Sequence, residues 1–266
     1  MSIHRLFHET VTRRAFTQRV AGAVVGGAIA TNASRSGIEA VLFDAFVVFD
    51  PRPVGTVAEQ IFPGRGTELT SVWRTTQFQY AWLRVVAKNY ADFRHCSEDA
   101  LRHAAATLGL DLTRARQERL MQAYLELRPW PEVPAALRAL RAEGVRLGIL
   151  SNFTSEMLAA SIRASGLDGV FDRILSTDQV ATYKPDPRAY LLGIHAFGLP
   201  RDRIAFAAFA GWDAAGAKLF GYPTLWVNRL GAPADDLGAP APDTIVRSLT
   251  ELVGFVQTTH RPRAMP

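Results

Sequence analysis

Ala40-Val41-Leu42-Phe43 is an unbroken apolar run that ends on a carboxylate, Asp44. It is too short for a helix, and its lack of alternation excludes a strand with one wet face. It predicts a parallel strand buried on both sides. Similar runs follow at Val145 to Leu150, Ile204 to Phe209 and Thr224 to Val227, with a weaker one from Phe171 to Leu175. Between and after them lie helical stretches, Val133–Ala142, Glu156–Ala164, Arg188–Phe197, Ala214–Phe220 and Thr244–Val256. Gly144, Gly166, Gly198 and Gly221 fall at or near their ends, where the chain turns left-handed. This alternation predicts an α/β fold, a doubly wound parallel sheet with a Rossmann-like core.

The alternation fails from about Pro51 to Trp130. That stretch holds the amphipathic segments Glu68–Ala91, Glu98–Leu108 and Thr113–Leu127, no convincing strand, and prolines at 51, 53, 131 and 134 near its ends. It predicts a helical cap, residues 53–130, inserted after the first strand between core segments 34–52 and 131–266.

Length and composition narrow the class further. A chain of 266 residues suits one large domain, or a core with a smaller partner. Its single cysteine, Cys96, excludes a disulfide scaffold and a cysteine-based zinc site. Arg5, Arg13, Arg14 and Arg19, against Glu9, supply most of the formal net charge of +5. The later arginines are scattered among acids, so nucleic acid is not an expected partner. No apolar run reaches the roughly 18 residues a spanning helix needs. Thr12-Arg13-Arg14-Ala15-Phe16-Thr17 precedes a weakly apolar stretch, Val20 to Ala30, and then small residues. This pattern reads as a twin-arginine export signal over residues 1–33, with cleavage near Ser34, a periplasmic destination and an export machinery that recognises Arg13-Arg14. The other reading is an ordinary N-terminal tail on a cytoplasmic protein.

In open α/β sheets ligands bind outside the carboxyl ends of the strands. Polar residues there are few: Asp44 after the first strand, Ser151-Asn152 after the second, Lys184 after the weaker strand, and Asp213 after Ile204–Phe209. A single carboxylate at a strand end is most often a cap or turn former. The ordered set of carboxylate, hydroxyl–amide pair, ammonium and carboxylate is much more specific.

With these motifs the chain resembles the haloacid dehalogenase superfamily, and within it the type II 2-haloacid dehalogenases, from about Ile38 to Val256. Val41-Leu42-Phe43-Asp44-Ala45-Phe46 resembles the first motif, Leu150-Ser151-Asn152 the second, Tyr183-Lys184-Pro185-Asp186-Pro187 the third, and Gly211-Trp212-Asp213 through Lys218 the fourth. Trp73-Arg74-Thr75-Thr76-Gln77-Phe78 through Arg84 is similar to the cap segment that sets this branch apart from its phosphatase cousins. The resemblance implies that Asp44 attacks C2 of a short (S)-2-haloalkanoic acid, expels halide and forms an aspartyl ester. Water then opens the ester, giving the (R)-2-hydroxy acid. No metal or organic cofactor is implied. Arg74, Asn152 and Phe93 would surround the halide, and Ser151 the substrate carboxylate. Lys184 would hold Asp44 as the carboxylate, Asp213 would orient Lys184 or the water, Tyr190 matches a site tyrosine, and Trp212 a pocket wall. Homodimers are common in the resembled family.

The chain also departs from that pattern. The family usually continues Ala-Tyr-Gly-Thr after the nucleophile, where Ala45-Phe46-Val47-Val48 stand here, and it usually offers a serine and an asparagine where Ala208 and Ala210 flank Phe209. Each lost hydrogen bond to a charged group is worth about 1.5–3 kcal/mol, so two independent losses imply a rate lower by about two to four decades. A slow enzyme that accumulates the ester is expected. Two other readings stand beside it: an impaired descendant that binds small acids, and a phosphatase. The phosphatase reading is weakened by Phe46, which occupies the general-acid position two residues after Asp44 and cannot transfer a proton.

Overall fold

The computed structural model describes residues 37–260. The Arg13-Arg14 motif and the cleavage point near Ser34 lie outside the described residues.

Six parallel strands form one sheet, in the order β5-β4-β1-β6-β7-β8. They are β1 (Ala40–Phe43), β4 (Arg146–Ser151), β5 (Arg173–Ser176), β6 (Ile204–Ala208), β7 (Thr224–Val227) and β8 (Thr244–Val246). Strand β1 is central and buried along its whole length. Its side chains alternate between two cores: Val41 and Phe43 join one, Ala40 and Leu42 the other. This is the period of two that a strand covered on both faces imposes. Helices α6 (Val133–Ala142), α7 (Ser155–Ala164) and α10 (Thr250–His260) contribute residues to the first core, while α8 (Pro187–Phe197) and α9 (Gly211–Phe220) contribute to the second.

The insertion leaves and returns through a small antiparallel pair, β2 (Phe49–Asp50) and β3 (Arg128–Pro129). Between them run α2 (Arg52–Ile61), α3 (Gly66–Val86), α4 (Phe93–Thr107) and α5 (Arg114–Ala123). Trp73, Leu101 and Leu120 from these helices share one apolar core with Phe43, Leu147 and Leu225 of the sheet. The described residues accordingly belong to one compact unit.

Three local expectations need correction. Thr244–Val256 is not one helix: Thr244-Ile245-Val246 form the edge strand β8, and α10 begins at Thr250. Three β-branched residues at a sheet edge favour extension, and the apolar spacing alone does not separate them from the helix that follows. Strand β3 lies inside the stretch expected to hold no strand. A two-residue pairing leaves no periodicity to read. Helix α2 starts at Arg52, immediately after Pro51, with Pro53 in its first turn. The expected helical segments begin only at Glu68; the prolines that mark the end of the stretch also suit a helix start, since a first turn needs no N–H from them.

Candidate active site

The sheet order reverses at β1, whose neighbours β4 and β6 lead to opposite edges. That places the crevice expected of such a sheet at the end of β1, where Asp44 sits. Asp44 leaves the strand in extended conformation and caps the single helical turn α1 (Ala45–Val48). Its Oδ1 accepts the Phe46 N–H at 2.9 Å.

Lys184 lies beneath it, fully buried, and uses all three of its donors. Nζ donates to Asp44 Oδ2 at 2.8 Å, to Asp213 Oδ2 at 2.6 Å and to the Leu150 carbonyl at 3.1 Å. The Lys184 backbone is pinned as well. Its N–H donates to Asn152 Oδ1 at 2.9 Å, and its carbonyl accepts the Trp82 indole N–H from α3 at 2.9 Å. Helix α9 approaches the Lys184-Pro185 turn so closely that a Cβ on Gly216 would lie 2.5 Å from Pro185 and from the Tyr190 hydroxyl. A side chain there would push Asp213 away from Lys184.

One cation thus serves two carboxylates. Burial opposes the Lys184 charge, but Asp213 and Asp44 outweigh it and hold its proton above the ordinary lysine value. Asp213, also fully buried, has only a share of that cation. Burial pushes its carboxyl up to about 6, against the pull of Lys184 and with the Asp44 charge adding to the rise. Its Oδ1 accepts the Tyr190 hydroxyl at 2.7 Å. Burial and the Asp213 charge keep that phenol protonated, well above its ordinary range.

Above the carboxylate is a small cavity of about 20 Å³, room for about one water. Asp44, Arg74, Phe93, Ser151, Asn152, Trp212 and Asp213 all line it. These residues come from the insertion, from the ends of β1 and β4, and from α9. Lys184 and Tyr190 do not line it. Lys184 forms the layer under Asp44, and Tyr190 is buried behind Asp213. In this structure the Tyr190 hydroxyl is engaged by Asp213 rather than lining the cavity.

The polar groups are preset for an anion. Asn152 Oδ1 is occupied by the Lys184 N–H and by the Thr177 hydroxyl at 3.3 Å, which leaves its amide donors for the cavity. Ser151 Oγ accepts the Phe153 N–H at 3.1 Å, which leaves its own proton to donate. The Arg74 guanidinium rests over the Phe209 ring, 5.9 Å from its centroid, and makes no ion pair among the described residues.

Four aromatic residues in the cavity wall were not among the expected site residues: Phe46, Phe78, Phe153 and Phe209. The Phe46 ring packs against Phe153 at 5.3 Å and Phe209 at 5.8 Å. Phe78 stands one helical turn after Arg74, a spacing that marks the same face of α3; Phe153 lies in the loop after β4, where no period marks it. Phe46, Arg74 and Phe78 also border a second chamber of about 390 Å³ between α2, α3 and the core.

The fold and this constellation define a capped α/β enzyme built around a strand-end carboxylate on a buried lysine. The profile of the haloacid dehalogenase-like hydrolases matches residues 38–221. An (S)-2-haloacid dehalogenase of Pseudomonas sp. (strain YL) is 41% identical over 222 residues, covering 83% of this chain and 95% of that protein. A crystal structure of an L-2-haloacid dehalogenase superposes with a TM-score of 0.81 at 42% identity, covering 83% of this chain and 99% of the other. The L-2-haloacid dehalogenase of Xanthobacter autotrophicus, solved with chloropropionic acid covalently bound, gives 0.77 at 33% identity over 83% and 98% of the two chains. The chain belongs to the haloacid dehalogenase-like hydrolase family.

Proposed function

We propose that the protein hydrolyses short (S)-2-haloalkanoic acids to (R)-2-hydroxy acids and halide, with Asp44 as nucleophile. The observation that carries this reading is the Asp44 carboxylate, held between Lys184 Nζ and the Phe46 N–H and facing a cavity with amide, hydroxyl and guanidinium donors. One Asp44 oxygen attacks C2 in line. The C–X bond breaks with its electron pair, and halide leaves toward Arg74 and Asn152. Whichever oxygen attacks, the other keeps a donor, Lys184 or Phe46 N–H, so charge on the ester carbonyl is met when water adds. Asp213 holds Lys184 in place and lines the same cavity for the water. Cleavage of the tetrahedral adduct restores Asp44, and one proton is released to solvent.

A 2-haloacid exceeds the space above Asp44, so binding moves a wall. Arg74, unpaired and bordering both cavities, is the side chain with room to swing. The apolar wall favours a slow second step. Val48 and Ala208 are fully buried, Ala210 borders the cavity, and none carries a side-chain donor.

The test is the full chain with (S)-2-chloropropionate and no added metal, followed by chloride release and intact mass. Chloride beyond one equivalent, with (R)-lactate as product, supports the reading. One equivalent or less with an adduct on Asp44 places the defect in ester hydrolysis. The absence of both chloride and adduct refutes catalysis and favours the small-acid-binding reading, which the donor-poor wall would then explain. The proposal includes export directed by Arg13-Arg14 and a homodimer, tested by N-terminal sequencing of an exported fraction and by sedimentation velocity.

A further inference from the structure

The turn that carries Asp44 is held from behind by residues outside the cavity. Helix α1 is one turn long, so its carbonyls have no following helix to bond. Only the Ala45 carbonyl finds a local partner, the Phe49 N–H. The Phe46 carbonyl accepts the Trp130 indole N–H at 2.9 Å, the Val47 carbonyl accepts Arg229 Nη2 at 3.1 Å, and the Val48 carbonyl accepts the Trp130 N–H at 3.1 Å. These partners lie 84 and 182 residues away along the chain. Val47 and Val48 are fully buried, so water cannot replace them.

Arg229 is unusual for an arginine. Its side chain is only 7% exposed, it pairs with Glu132, and its guanidinium lies 4.5 Å from the centroid of the Trp130 ring. Its Nε is buried with no hydrogen-bond partner among the described residues. A second guanidinium, that of Arg52, lies 4.6 Å from the same ring. A buried, partly unsatisfied cation is a poor device for stability alone. What it reaches is the backbone directly behind the nucleophile.

We infer that Trp130 and Arg229 are positioning residues: they fix the α1 turn so that the Phe46 N–H stays on Asp44 Oδ1 and the carboxylate keeps its line of attack. The inference rests on Asp44 being the nucleophile. Here the side chains that could brace this turn from the front are apolar, so bracing falls to these backbone contacts.

Trp130→Phe keeps the ring and removes the indole N–H. Arg229→Lys keeps a cation and removes the fork that spans Glu132 and Val47. With 2-chloropropionate as substrate, each variant of the full chain lowers kcat about ten-fold, the size of one lost hydrogen bond, while KM stays within about two-fold. Hydrogen exchange at the Phe46 and Val47 amides speeds up about ten-fold, with Leu42 and Phe43 unchanged. Unchanged exchange at Phe46 and Val47 in both variants overturns the inference. So does a loss confined to unfolding temperature and active fraction, with kcat per folded enzyme intact. If the wild-type chain releases no halide, the dehalogenase reading fails, and the exchange measurement still decides whether these residues hold the turn. If Trp130→Phe does not fold, Arg229→Lys is read in the same two ways.

Discussion

Replacing Lys184 with methionine keeps most of the buried volume and removes the only charge between Asp44 and Asp213. The bonded oxygens of the two carboxylates sit 2.8 and 2.6 Å from the same nitrogen, hence no more than about 5.4 Å from each other. At an effective dielectric of about 20, two unit charges at that separation repel by about 3 kcal/mol. Stranding a buried charge by deleting its partner costs about 3–5 kcal/mol on general grounds, so the two routes agree in size. For a unit of this size the loss lowers the unfolding midpoint by roughly 6–20 °C. The sign with pH follows from linkage. Without the ammonium, one carboxyl of the pair has a folded pKa above its unfolded value. Its contribution is therefore fully present below about pH 4 and lost as pH rises through the raised value. The gap between Lys184→Met and wild type should widen from pH 5 to pH 8 in urea unfolding, and halide release should vanish. A gap below about 1 kcal/mol at pH 8, or one equal at both pH values, would refute the view that one lysine neutralises two buried carboxylates.

Because burial pushes Asp213 up to about 6, it loses its charge as pH falls through that value. The kcat profile should show an acid limb there. The Tyr190 hydroxyl favours the Asp213 carboxylate, so Tyr190→Phe should move the limb to higher pH; a limb at or below the wild-type position refutes that role. Phe209→Ala removes the ring that packs on Phe46 and under Arg74. It should raise kcat/KM for 2-chlorobutyrate relative to chloroacetate by about ten-fold or more. An unchanged ratio would mean that Phe209 does not set the size limit.

Much of the fold is written in local pattern. The apolar runs at Ala40–Phe43 and Ile204–Ala208 declare themselves as strands because both faces are buried and no alternation is needed. Gly198 and Gly221 mark helix ends because each takes a positive φ, 63° and 99°. The polar residues at strand ends identify Asp44, Ser151, Asn152 and Asp213 because a sheet of this kind exposes only its carboxyl ends to a ligand. Edge strand β8 and the β2–β3 pair escape such reading, since two or three residues carry no period.

What the chain order alone determines is which residue types stand at the strand ends and that a helical segment must cover them. It leaves open which of them touch. Tyr190 pairs with Asp213 and turns away from the cavity because α8 and α9 pack at the distance Gly216 allows. Phe46, Phe78, Phe153 and Phe209 line the cavity over Asp44 from four separate segments. Trp130 and Arg229 converge on the turn after Asp44 from segments far apart along the chain. Each of these contacts is set by packing between elements, whose distances depend on every residue in the interface. No local window of sequence contains that information.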